Sequence, residues 1–281
     1  MSNSLEEDKG AEMRYNYEGE SEINKIKSDL DNIFYTIDNN IYISKSVKNT
    51  LAETFNVLRS HFSNVEKIRK ALGEAYSVNN TKSILMNEIE LYANLDAMNT
   101  MLAIMREYVK IDSNIENIEK LTIGTRNTIA LLIQIHIQNN KEKPDKIVDE
   151  IKSELTKYNE LVDEIDEFID EDLDELKRQF ENDEDLTRGV YNVLSKALSL
   201  LEESYYDNAF VFALNALDTD KASVALNELV EAYASFSTLK ALYSVFCSYN
   251  ICVRHLEHRL HEALKHTKQV IDKIIDYYIK S

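Results

Sequence analysis

The chain has 281 residues, 44% of them hydrophobic, with one proline, five glycines, no tryptophan and a formal net charge of −18. That acidity argues against a general nucleic-acid binder, which needs clustered Lys and Arg to neutralise phosphates. The scarcity of Pro and Gly argues against a turn-rich β architecture. What remains is an all-α protein of a few long helices, with enough chain to bury a core.

Residues 1–20 are polar and acidic, contain Gly10 and Gly19, and read as a disordered tail. They lack the basic start and apolar run of a signal peptide. No apolar stretch reaches the roughly 18 residues of a membrane span; the longest, Thr128–Ile137, holds Gln134 and His136. From Ser21, a fitting helix cap, apolar residues recur at Ile23, Ile26, Leu30, Ile33, Ile37 and Ile41. They resume at Val47, Leu51, Phe55, Leu58, Phe62, Val65, Ile68 and Leu72. With Ser44 counted in, every step is three or four, the spacing of a coiled-coil seam. As one helix this segment spans roughly 75 Å.

Gly73 and Ser77-Val78-Asn79-Asn80-Thr81 predict a kink or turn. A second long helix is predicted from about Lys82 to Gln138, through Tyr92 and Leu102, with a bend at Gly124. Asn139–Lys146 is the clear loop, and its Pro144 suits the start of the next helix. That third segment runs from Ile147 to Phe180 and resumes after Gly189. Leu217–Asp220 predicts a turn, with Thr219 or Asp220 capping a final helix from about Lys221. The organisation is therefore a tail (1–20), a long-helix bundle (21–213) and a C-terminal helical segment (214–281). One internal echo stands out. Phe55-Asn56-Val57-Leu58 returns as Tyr191-Asn192-Val193-Leu194. Met86-Asn87-Glu88 with Tyr92-Ala93 returns as Leu226-Asn227-Glu228 with Tyr233-Ala234. Helical sequences also produce such echoes by chance.

Catalytic chemistry is hard to find. No phosphate loop, nucleophile elbow or paired-Cys motif is present. Cys252, His255, His258 and His261 lie three apart and drift around a helix rather than converge as metal ligands must. No metal and no cofactor are expected. The acidic run Asp163–Glu175 keeps helical apolar spacing and reads as a solvated face. Cys247 and Cys252, five apart on a predicted helix, point in different directions and read as reduced thiols. The seam carries the functional weight, because a seam implies helix partners. Ile33, Ile37, Phe55, Phe62, Tyr92 and Leu102 near its middle are the candidate dimer contacts. Lys141, Lys143 and Lys146, in the Pro144 loop, are the candidate lipid contacts, at ~1 kcal/mol per Lys near an anionic surface.

Three long amphipathic segments, with Lys143-Pro144-Asp145-Lys146 opening the third, resemble the BAR domain of sorting nexins over about residues 22–213. Phe168 in its acidic stretch, Arg178-Gln179-Phe180, and Val193-Leu194 through Tyr206 and Phe210 are similar to that family's last helix. The departures are the missing room for a PX domain, the absent Trp, and about 70 further C-terminal residues. The resemblance implies a BAR-like bundle of long antiparallel helices, a homo- or heterodimer, and membrane remodelling on endosomes from the cytoplasmic side. The reading reached from the sequence is a non-enzymatic, dimerising, membrane-associated trafficking scaffold that also binds protein partners. Its rival is a compact acidic helical-bundle adaptor that binds a protein partner without touching lipid.

Overall fold

The structure, a computed structural model, describes residues 3–109, 112–138, 148–157, 178, 187–204, 209–249 and 254–279. The helices are α1 (Asn3–Asn39), α2 (Lys45–Ser77), α3 (Thr81–Arg106), α4 (Asp112–His136), α5 (described over 148–157), α6 (Arg188–Ser204), α7 (Ala209–Asp218), α8 (Ala222–Cys247) and α9 (Arg254–Tyr278). Among the described residues there is no β-strand, only an isolated antiparallel bridge between Ile137 and Ile279. The fold class is thus all-α, as the composition implied.

The 75 Å seam helix is not continuous. It breaks at residues 40–44 into an antiparallel hairpin of α1 and α2, in which Glu22 reaches Arg69 at 2.7 Å and Phe34 stacks 5.1 Å from Phe55. Local side-chain hydrogen bonds compete with the helix here. Asn40 Oδ1 accepts from the Tyr42 amide at 2.9 Å, and Ser44 Oγ accepts from the Val47 amide at 3.3 Å as the N-cap of α2. Ser44 is therefore a cap rather than a seam position, and Ile41 is 84% exposed. The stretch read as a disordered tail also differs, since α1 already begins at Asn3. Its Glu, Ala, Leu and Met residues are good helix formers, and only two glycines interrupt them.

The turn at Ser77–Thr81 lies where the sequence placed it, but the second long helix is two helices, α3 ending at Arg106 and α4 starting at Asp112 and running through Gly124. Antiparallel packing continues from α2 to α3, through His61 and Asn94, and from α3 to α4, through Arg106 and Glu119. The segment 214–281 is no appendage. Its proposed boundary falls inside α7, and α8 packs against α2, α3, α4, α6, α7 and α9. Helices α3 and α8 are apolar nearly all round, the signature of central helices. They run parallel, since Tyr92 meets Glu231 and Asp96 meets Thr238 further along both. Lys221, which makes no side-chain capping hydrogen bond, occupies the N-cap of α8 in place of Thr219 or Asp220.

Candidate functional site

The polar groups between the two central helices form the best-organised cluster in the described structure. Glu231 of α8 accepts two hydrogen bonds, from the Tyr92 hydroxyl at 2.9 Å and from Arg126 Nε of α4 at 2.8 Å. Thr238 Oγ1 donates to Asp96 Oδ2 at 2.9 Å. Burial, reinforced by the Glu231 charge, holds the Tyr92 phenol far above its usual value. Burial also raises the Asp96 carboxyl, against the pull of the Thr238 bond. Both oxygens of Glu231 are engaged, so the chemistry of this cluster is cohesive: it ties α3, α4 and α8 together.

Two further polar groups bond inside the bundle, the buried Glu88 and the half-buried His61. Glu88, 4% exposed, accepts from the Tyr76 hydroxyl at 3.3 Å, and desolvation pushes its carboxyl up to about 7. His61 bonds through Nδ1 to Asn94 Oδ1 at 3.0 Å, and burial lowers its pKa. Sequence reading missed both, because each occupies one position in an otherwise regular helical pattern.

A cleft of about 490 Å³ opens where the end of α3 meets α6, lined by Glu107, Tyr108, Asn192, Ser195, Lys196 and Ser199. Lys196 Nζ lies 3.6 Å from Glu107. These groups can exchange hydrogen bonds with a polar ligand. The lining contains neither His nor Cys, the usual base and the strongest nucleophile of hydrolytic sites.

The candidate residues from the sequence fare differently. Ile33, Ile37, Phe55, Phe62, Tyr92 and Leu102 are all buried, each at most 6% exposed, and they are covered by helices of the same chain. The seam therefore has an internal partner. Lys141, Lys143 and Lys146 lie outside the described residues, as do the acidic run Asp163–Glu175 and Cys252. His258 and His261 are exposed, and among the described residues no three His, Cys, Asp or Glu side chains converge on one point. Cys247 corrects the reduced-thiol expectation, because it is disulfide-bonded. The expectation assumed a continuous helix through both cysteines, whereas α8 ends at Cys247 itself.

Among the described residues, the two most exposed large apolar side chains adjoin at the α1–α2 turn. Tyr42 is 92% and Ile41 84% exposed, with Tyr35 and Phe34 on the adjoining turn of α1. No helix among the described residues is long and apolar enough to cross a membrane. Compared with protein families, with curated proteins and with solved structures, the chain finds no match.

Proposed function

We propose that the protein is a compact, non-catalytic, acidic helical adaptor that binds a protein partner through the α1–α2 turn. One observation carries this reading: the chain buries its own seam and, among the described residues, leaves Ile41 and Tyr42 as the most exposed large apolar side chains. Other apolar side chains are also exposed, Val78 and Ile123, Leu131 and Ile135 of α4 among them, but Ile41 and Tyr42 are adjacent and more exposed; clustered exposed apolar groups mark contact sites, and Tyr is favoured in binding hot spots. The charge of −18 adds long-range attraction for a basic partner. The elongated dimeric scaffold, by contrast, calls for seam side chains that are available to a second chain.

The test combines shape with binding. A compact monomer of this length has a radius of gyration of about 19 Å, and small-angle scattering with sedimentation is expected to return that value. Cosedimentation with phosphatidylserine vesicles at low salt is expected to leave the protein in the supernatant. An elongated dimer, or retention on vesicles, returns the choice to the membrane scaffold. A monomer whose crosslinked partners are the same for the native chain and for Ile41→Asp, Tyr42→Asp removes the turn from the reading.

A further inference from the structure

We infer that the chain is an internal dimer: residues 45–138 and 188–279 are two copies of one helical unit, packed face to face about a two-fold axis between α3 and α8. The sequence echo suggests such a repeat. Four independent structural features carry it.

The first is a turn. Asn79 and Asp220 are the non-glycine residues with positive φ among those described, at 51° and 55°, and they lie 141 positions apart. Each ends a helix with the same pair of backbone bonds. Asn80 N donates to Ala75 O at 3.0 Å and Asn79 N to Tyr76 O at 3.1 Å. At the same spacing, Lys221 N donates to Ala216 O at 2.8 Å and Asp220 N to Leu217 O at 3.2 Å. This is the Schellman motif, in both places at the same register.

The second feature is burial. Helices α3 and α8 both have 26 residues. Every buried position of α3 except Tyr92 falls on a buried position of α8 when shifted by 141, and the counterpart of Tyr92 is the half-buried Tyr233. The shift aligns Glu90-Leu91-Tyr92-Ala93 with Glu231-Ala232-Tyr233-Ala234. It also moves Met86-Asn87-Glu88 of the second echo by one position, whereas the first echo, Phe55–Leu58 with Tyr191–Leu194, has an offset of 136 and does not share this register.

The third feature is α4 against α9. A shift of 142 places Thr125 on Thr267, both buried, and the buried Ile129, Ile133 and Ile137 on the buried Ile271 and Ile275 and the partly buried Ile279.

The fourth feature decides the arrangement. In a two-fold interface, if residue i of one copy meets j of the other, then j of the first meets i of the second. Arg126 of α4 pairs with Glu231 of α8; the counterparts Lys268 of α9 and Glu90 of α3 also pair. Tyr92 donates to Glu231, and Tyr233 is the residue on which the Glu90 charge acts. Ile137 bridges Ile279, which is its own counterpart, as a residue close to a two-fold axis must. Helix α2 corresponds to α6 and α7 together, and α1 and α5 are outer helices on equivalent sides. Lys25 of α1 donates to Asn117 of α4, and Glu154 of α5 pairs with Lys273 of α9. The partner that the apolar face of each unit requires is therefore a second copy of that unit, supplied by the same chain.

Reciprocity can be measured in the full-length protein. Arg126→Glu and Lys268→Glu are each expected to raise the unfolding equilibrium constant at a fixed urea concentration by about two- to fivefold, the range for partly exposed pairs. Glu231→Arg is expected to rescue the first and Glu90→Lys the second, with no rescue in the crossed combinations. Coupling in one pair only, in neither, or across the pairs overturns the reciprocal interface. A second measurement does not depend on coupling strength. In a crystal of the protein, superposing 45–138 on 188–279 is expected to need a rotation near 180°. A best fit far from that rotation, or no fit of the turn and central helices, overturns the inference outright.

Discussion

Glu88 and His61 make opposite demands on the pH of the solution. The folded-state value of Glu88, about 7, stands above its ordinary 4.5. As pH rises between these values the unfolded chain gives up the proton first, so stability falls across that window and levels off above it. The accumulated penalty is about 3 kcal/mol by pH 8. Glu88→Gln is expected to recover most of it and to flatten chemical denaturation midpoints between pH 5 and 8; a variant less stable than the native chain at pH 8 contradicts the assignment. His61 is depressed below its ordinary 6.5 by burial. The unfolded chain takes up that proton first as pH falls, so its contribution is present above about pH 6.5 and lost below. His61→Gln is expected to remove this acid-side loss. The left-handed turns offer a third residue-scale test. Asn79→Gly and Asp220→Gly are each expected to be neutral or stabilising by about 0.5 kcal/mol, and the alanine variants destabilising by about 1 kcal/mol. Thermal melts of the four variants read the result.

At the scale of elements, the junction between α1 and α2 depends on a single hydroxyl. Ser44→Ala removes the bond to the Val47 amide and is expected to cost about 1 kcal/mol. Val47 is also the reason for Gly189. A Cβ at position 189, in the first turn of α6, would lie 2.3 Å from Val47 Cγ2, and a β-branched side chain has little freedom to withdraw. Gly189→Ala is expected to destabilise by about 1–3 kcal/mol. Combining it with Val47→Ala is expected to recover part of the loss, because the methyl then has room. Additive losses in the double variant would mean that the α2–α6 approach is looser than the structure has it. The seam break belongs to this scale too. The three-and-four spacing runs through residues 40–44 only if the polar Ser44 is counted as a seam position, and Asn40 and Ser44, which satisfy backbone amides locally, mark the place where the helix stops.

For the whole molecule, the net charge of −18 sets a condition that packing must overcome. Like charges on a compact body repel, and salt screens them over a Debye length of about 8 Å at physiological ionic strength. The melting temperature is therefore expected to rise on adding sodium chloride from low ionic strength, and a fall would mean that the surface ion pairs outweigh the repulsion. Packing opposes the repulsion through the two central helices. Truncating a fully buried side chain such as Leu102 to Ala is expected to cost about 2–5 kcal/mol. It is expected to do so without changing the sedimentation coefficient of the folded protein, because Leu102 is covered by its own chain.

The helices and their inward faces were readable from the sequence alone. Burial of apolar side chains imposes a spacing of three and four on each helix, and that spacing is local: Leu51, Phe55, Leu58 and Phe62 point inward whatever covers them. The turns at Ser77–Thr81 and Leu217–Asp220 were readable for the same reason, since a left-handed residue needs Asn, Asp or Gly at one position. What covers each face was decided by tertiary structure. The hydrophobic effect is non-directional, so a seam written on α1 and α2 is equally satisfied by a second chain or by the same one. The break at 40–44 folds that seam back on itself, and α3 and α8 complete the cover. The polar cluster was likewise invisible in the sequence. Tyr92 and Glu231 stand 139 positions apart, and only the parallel packing of two central helices brings a phenol and a carboxylate to 2.9 Å.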